Sequence, residues 1–375
     1  MKKLVPLICV LCIVVSGCQA PDTEPSETPE SYEPEYHYTT PDYQKINISG
    51  ETAANGVYDP SIEYDDSTGW MAYSAVEAPK YVHTQLAKSE DHGKTWEYVT
   101  TINRSVDGTL NTQSGTIEGA WRHEVSTLVY DPGDPGKEWK LFWHKYFTKP
   151  PYQEEDRMFQ YGWIAYKYAS HPEGKWSEEI PLLGSGLGLQ KPFETVINLN
   201  ELHREMSNIV VYSEPGSLVY KNTLYLSING HTIQEGKNIG NVFLIASHDH
   251  GKTWEYINVL LTPEDAQKFD SLFFTGSSLV EENNRIFLLV CPEDPAREMH
   301  HGGTCIFEFE DITKGTLKKD NNALIVIKYF LPSLTSGGQS DYDEQNTNGG
   351  IVFPQVDPAS YPDVFQIHNT GEGII

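Results

Sequence analysis

Cysteine is almost absent from the body of this 375-residue chain. Of five, Cys9, Cys12 and Cys18 fall in the first 18 residues, leaving only Cys291 and Cys305. No Cys/His spacing resembles a zinc site, so zinc is not expected to organise the fold. Basic residues are scarce too, with 27 Lys and Arg against 53 Asp and Glu. The formal net charge of −26 creates a field that repels nucleic acid and anionic membrane surfaces. Long amphipathic helical periodicity is missing, which argues against bundles and α/β layers. The apolar run from Leu4 to Val15 is too short to be a convincing membrane span.

That run follows Met1-Lys2-Lys3 and reads as an export signal over residues 1–17. It ends in Val15-Ser16-Gly17-Cys18, which resembles a bacterial lipobox. The resemblance implies cleavage before a lipid-modified Cys18; an ordinary signal peptide that happens to contain cysteine is the alternative. Gln19 after the cysteine is compatible with the outer membrane of a diderm cell. Residues 18–45 are rich in Pro, Glu, Ser and Thr and carry too little aliphatic surface to fold, so they read as a disordered tether.

From residue 46 to 375 apolar-alternating strands separated by turn residues predict an all-β domain. Ser89-Glu90-Asp91-His92-Gly93-Lys94-Thr95-Trp96 returns almost unchanged as Ser247-His248-Asp249-His250-Gly251-Lys252-Thr253-Trp254. Each copy lies between two strand patterns and reads as a hairpin turn. Gly93 and Gly251 supply positive φ, Asp91 and Asp249 accept backbone N–H groups, and Trp96 and Trp254 start the return strand. The pattern Ser-x-Asp-x-Gly-x-Thr-Trp resembles the Asp-box (BNR repeat) of sialidase-like β-propellers, which implies a turn-forming role for both aspartates. A remnant stands at Ser170-His171-Pro172-Glu173-Gly174-Lys175-Trp176.

Four strand starts share a small residue followed by aliphatic ones, at Ser61, Thr127, Ser217 and Ser278, and only the second interval is long. Its excess, residues 184–207, reads as an inserted loop. A shorter fifth unit contains residues 349–353 and 364–367, with an N-terminal strand from around Tyr43 to Ile48 closing the ring. The expectation is a five-bladed β-propeller, with six blades as the alternative. A short helix is expected at Thr262-Pro263-Glu264-Asp265. Cys291 and Cys305 are compatible either with a cross-strand disulfide or with two buried thiols.

Inner strands of a propeller converge on a central channel, so functional groups belong just before the strand starts. Asp59, Glu124 and Glu214 stand there, and carboxylates from three blades raise one another's pKa, as glycoside hydrolysis requires of an acid and a base. Asp59-Pro60-Ser61-Ile62 resembles the first-blade motif of five-bladed arabinanase and β-xylosidase glycosidases, which implies that Asp59 is the general base. Glu214-Pro215-Gly216 resembles their Glu-Gly-Pro motif with two residues exchanged, implying a general acid at Glu214. Glu124 falls in the blade where that family tunes the acid. Arg122, His123 and Arg204 are candidate substrate-binding residues, since guanidinium matches a sugar carboxylate.

The expected activity is an inverting glycoside hydrolase on an oligo- or polysaccharide. The alternatives are a sialidase-type exo-glycosidase, for which six arginines assign no full triad, and a non-catalytic glycan-binding propeller. No metal or cofactor is required, although the arabinanase-like resemblance allows a central structural cation held partly by one of His123, His203, His300 and His301. The protein is expected to be a monomer that meets carbohydrate and, through its lipid, the membrane. Cys18→Ser is expected to move the protein from the membrane fraction to a soluble or unprocessed pool, measured by fractionation and N-terminal mass spectrometry. Unchanged fractionation with an unlipidated wild-type N-terminus would contradict the anchor.

Overall fold

Runs such as Leu141-Phe142-Trp143 are apolar at every position because both faces of their strand are covered. Leu141 and Trp143 pack toward one neighbouring sheet and Phe142 toward the other. The structure, a computed structural model, describes residues 39, 41–112, 114–187, 195–234, 237–293, 301–330, 338–346, 349–357 and 364–375. The export signal, Cys18 and the tether up to Tyr38 lie outside the described residues, as do Arg297 and His300. No helix among the described residues is long and apolar enough to cross a membrane.

Five sheets follow one another along the chain. The first blade runs through strands Val57–Asp65, Thr68–Glu77, Tyr81–Ser89 and Trp96–Asn103. The second has inner strand Gly115–Tyr130 followed by Trp139–Thr148, Arg157–Ala169 and Ile180–Gly184. The third spans Val211–Tyr220 to Glu255–Leu261, and the fourth contains Phe273–Glu282, Arg285–Glu293, Thr304–Asp311 and Val326–Phe330. In the fifth, Asp341–Tyr342 is innermost and Val364–Asn369 accepts Gln44–Lys45 as its outer neighbour.

Five hydrophobic clusters seal five interfaces, so the ring is closed. Trp70 and Leu86 meet Leu128 and Trp163 between blades one and two, and Phe142 meets Leu226 and Phe243 between two and three. Leu244 meets Leu288 next, then Phe287 meets Phe353, and Met71 and Tyr73 meet Val352 and Ile367. Each fully buried aliphatic or aromatic side chain contributes about 1.5–3 kcal/mol relative to exposure. The N-terminal strand locks the ring from outside. Gln44 and Lys45 pair with Asn369 and His368, while Ile48 and Ser49 pair with Trp96 and Glu97 of the first blade. Gln44 and Lys45 thus form the outer strand of the last sheet.

The long second interval is an elaboration, as expected. Residues 197–198 pair in parallel with 183–184, and Leu199, Met206 and Ile209 fill the seam between blades two and three. The helix Pro263–Gln267 forms where expected, with Thr262 and Asp265 in a reciprocal capping box. Cys291 and Cys305 are both buried free thiols.

The two octapeptide repeats close the same turn. Thr95 N and Oγ1 donate to Asp91 at 2.9 and 2.7 Å, Gly93 N donates to Ser89 Oγ at 2.9 Å, and Trp96 Nε1 donates to Gly93 O at 3.1 Å. Asp249 receives Thr253 N and Oγ1 at 2.8 and 2.7 Å, and Trp254 Nε1 donates to Gly251 O at 3.1 Å. The remnant keeps only the indole anchor, Trp176 Nε1 to Pro172 O at 3.0 Å. These turns also touch neighbouring blades: His250 Nδ1 lies 3.0 Å from Asp131 Oδ2, and His92 Nδ1 lies 3.1 Å from Gln345 Oε1. Asp91→Ala removes an acceptor that closes the turn and should cost about 1–3 kcal/mol in urea unfolding. An unchanged unfolding midpoint would contradict the turn-forming role.

Candidate functional site

The inner strands of the first four blades all break register at the same height. Pairing skips from Tyr58 to Ser61, from Glu124 to Ser126, from Ser213 to Gly216 and from Thr275 to Ser278. Each break is a bulge with one residue at positive φ: Asp59 at 50°, Val125 at 50°, Glu214 at 52° and Gly276 at 55°. Only glycine adopts this conformation freely; any other residue there costs about 1–2 kcal/mol. Asp59 and Glu214 are thus structural equivalents in blades one and three. In the second blade the bulge residue is Val125 and the carboxylate stands one position earlier.

Each equivalent carboxylate is held from the adjacent strand. Ser74 Oγ donates to Asp59 Oδ2 at 3.2 Å, and Gln339 N donates to Oδ1 at 3.1 Å. Asn229 Nδ2 donates to Glu214 Oε2 at 2.9 Å, and Gly276 N donates to the same oxygen at 2.8 Å. Ser74 and Asn229 stand opposite Tyr58 and Ser213 in register, so the same second-strand position serves both acids. Gly276 has no side chain to shield its N–H, and any Cβ there would strike the backbone of Gly338 and Gln339.

The three acids differ in ionisation. Burial, then Glu293 and Glu124, push Glu214 up to about 8. Burial, then Glu124 and Glu214, raise Asp59 well above the usual carboxyl range, against the pull of its hydrogen bonds. Burial also pushes on Glu124, but Arg157, Arg122 and the donated Tyr146 hydroxyl outweigh it and hold Glu124 below its ordinary value. A permanent anion therefore sits beside two carboxyls that favour their protons.

Other candidates stand elsewhere or are already engaged. Arg122 is buried and donates from Nε to Lys80 O at 3.1 Å, from Nη2 to Pro79 O and from Nη1 to Tyr146 Oη at 3.2 Å. His123 is buried, and its Nδ1 accepts from Trp143 Nε1 at 3.0 Å. Arg204 opens a 3₁₀ turn, Arg204–Met206, in the inserted segment, where Glu205 and His203 contact Tyr256 of the third blade's outer strand. His301 Nδ1 lies 3.6 Å from the Cys291 thiol. Residues with no sequence signal of their own also join the site, namely Tyr146, Arg157, Glu293 and Gln339. Ser74 and Asn229 had a faint one, a polar residue closing an apolar strand run.

On the C-terminal side of the bulges along the inner strands, a cavity of about 160 Å³ is lined by all five blades, including Ser61, Thr127, Ser217, Ser278 and Asp341. It contains none of Asp59, Glu124 and Glu214, so it is a separate space. Among the described residues no group of three or more His, Cys, Asp or Glu side chains is arranged to hold a metal ion.

No family model and no curated protein matches the chain. Solved structures do resemble it. A family 117 glycoside hydrolase produced by the marine bacterium Zobellia galactanivorans superposes with a TM-score of 0.52 at 13% identity, covering 90% of this chain and 91% of that one. A thermostable family-43 glycoside hydrolase gives 0.51 at 12% identity, covering 86% and 90%. The chain spans only 58% of a GH32 beta-fructofuranosidase of Bombyx mori, matched at 14% identity over 86% of this chain with a TM-score of 0.47. At these identities the likeness shows the fold, a five-bladed β-propeller.

The buried acids carry a stability signature. In the unfolded chain a carboxyl titrates near about 4. In the folded protein burial holds Asp341 to about 7, while Glu63, also beside Glu344, and Glu214 are held to about 8. Each contributes stability that is full below the unfolded value and is lost as pH rises through the folded value. Burial holds His144, His231 and His368 at about 4, and they act in the opposite sense until the unfolded imidazole has lost its proton near about 6.5. Thermal midpoints should therefore fall between about pH 6.5 and pH 8; a midpoint that rises across this window would contradict the assignment.

Proposed function

We propose that this protein is a glycoside hydrolase that cleaves by inversion, with Asp59 activating water and Glu214 protonating the leaving oxygen. The observation that carries the reading is the pair of equivalent bulges that hold Asp59 and Glu214 in strained backbone beside an ionised Glu124. Strain of this kind is retained where function requires it. Glu214, pushed up to about 8, is a proton donor at neutral pH. Water activation requires the ionised form of Asp59, which two hydrogen bonds, from Ser74 and Gln339, favour against the burial that raises its pKa. The fold shared with chains named glycoside hydrolases supports the same class. The substrate is carbohydrate, and the Val15–Cys18 motif supports an exported, lipid-anchored protein facing extracellular glycans.

One observation favours the sialidase-type alternative: the Tyr146 hydroxyl donates to Glu124, a tyrosine–glutamate pair. Two facts weigh against it. Burial and Glu124 raise the Tyr146 pKa, which keeps the phenol protonated and a poor nucleophile. Arg122, which donates to the Tyr146 hydroxyl, is also bonded to two carbonyls and is not free for a sugar carboxylate.

Screening against plant, algal and host glycans identifies a substrate, and kinetics on it test the roles. Glu214→Gln should lower kcat by about 10²–10⁴-fold, spare substrates with activated leaving groups in part, and remove an alkaline limb near pH 8. Asp59→Asn should damage both substrate types alike. The first product observed by NMR should have the anomer opposite to the substrate. Binding without released sugar across the panel would replace hydrolysis with glycan binding, and full activity of Glu214→Gln on the natural substrate would overturn the acid assignment.

A further inference from the structure

Asp59 and Glu214 belong to blades that do not touch around the ring, since the second blade stands between them on one side and the fourth and fifth on the other. Hydrophobic seams join only neighbours. The seams therefore couple the two carboxyls only through intervening blades, and a direct link between them must cross the centre. Gln339, which lies just before the fifth blade's inner strand, does so and is fully buried. Its backbone N donates to Asp59 Oδ1 at 3.1 Å. Its side-chain Nε2 donates to Pro215 O at 3.0 Å and to Ser277 O at 3.3 Å. Pro215 is the second residue of the bulge that presents Glu214. Ser277 is its counterpart in the fourth blade, adjacent to the Gly276 N–H that binds Glu214 Oε2.

Resting on the glycosidase reading, we propose that Gln339 is a positioning residue that fixes the spacing of Asp59 and Glu214 across the channel. The amide orientation follows from chemistry, because two carbonyl oxygens face Nε2 and the reverse orientation would set Oε1 against both. The approach is tight: Gly338, at a φ of 96°, lies so close that a Cβ would meet the Tyr58 ring and Asp59 Oδ1 at 2.8 Å. Acid and base must hold to within a fraction of an ångström, and a displacement of about 1 Å costs about 10²-fold in rate.

The test compares Gln339→Met, Gln339→Glu and Gln339→Asn with wild type on the glycoside found by the glycan screen, with rates referred to folded protein. Gln339→Met keeps volume and the backbone donor but loses the strut, so kcat should fall by about 10²-fold on natural and activated substrates alike while KM changes little. Gln339→Glu adds a carboxylate beside Asp59 and Glu214 and should move both limbs of the pH profile upward. Should Gln339→Met fail to fold, Gln339→Asn keeps the amide and withdraws it by one methylene, and should show the same loss in kcat. Lowered thermal stability with unchanged kcat and unchanged pH limbs would overturn the inference and leave Gln339 a packing residue. Full activity in Asp59→Asn and Glu214→Gln would instead remove the glycosidase reading itself, which keeps the two failures distinguishable.

Discussion

Backbone strain at one height of the ring is what the site depends on. A bulge interrupts the ladder of each inner strand in four blades and turns one residue into the left-handed region, at φ values between 50° and 55°. A bulge re-aims the side chain it carries, and here it aims toward the axis side of the strand start. Glycine would occupy that position without penalty, and does so at Gly276. Asp59, Val125 and Glu214 do not, which means that packing elsewhere must outweigh about 1–2 kcal/mol at each.

That packing is the ring itself. Strands covered on both faces send alternate residues to opposite neighbours, so no blade can move without disturbing two seams. Near the axis the inner strands also lack a ladder partner on one edge, and small hydroxyl residues supply one. Ser61 Oγ accepts from Leu128 N at 3.0 Å, Thr127 Oγ1 accepts from Ser217 N at 3.0 Å, and Ser74 Oγ accepts from Val125 N at 3.1 Å. A larger residue would hold the strands apart, and an aliphatic one would leave buried N–H groups unpaired. At Ser61 and Thr127 the small residue of the strand start is thus an interblade hydrogen-bond acceptor as well as a spacer. The same Ser74 that serves Val125 also donates to Asp59, so the fold's cement and the site share an atom.

Local pattern is what sequence reports well, and much of this fold is local. Alternation fixed the strands, the repeated octapeptide marked two turns, and the spacing of strand starts indicated five blades because each blade is a contiguous segment. The proposed pair follows the same local logic, Asp59 two residues before Ser61 and Glu214 three before Ser217, although the strands Val57–Asp65 and Val211–Tyr220 already include both acids. What the pattern could not carry is anything set by convergence. Arg204 precedes a strand in sequence, but the inserted segment carries it to the outer strand of the third blade. Arg122 flanks Glu124 and is consumed by Pro79 and Lys80 from the preceding blade. Gln339 sits in a polar loop with no periodicity, and its contacts lie 124 and 280 residues away in sequence.

The ionisation pattern follows from how the few cations are distributed. The sequence has six arginines, and two of them, Arg122 and Arg157, act on Glu124. The chief influences on Asp59 and Glu214 include no cation at all. Neutralising all three acids equally would have left three ordinary carboxylates; concentrating positive charge on one leaves a fixed anion whose field raises the other two. The charge on Glu124 adds to burial and Glu293 in raising Glu214, and follows burial as the chief influence that raises Asp59. Burial of a protonated carboxyl is far less costly than burial of a charged one, so the same arrangement also limits the penalty of crowding acids at the centre of a protein with a net charge of −26. Stability and ionisation pull in one direction here, because the protonated form of Glu214 is both the form that burial favours and the form able to donate a proton.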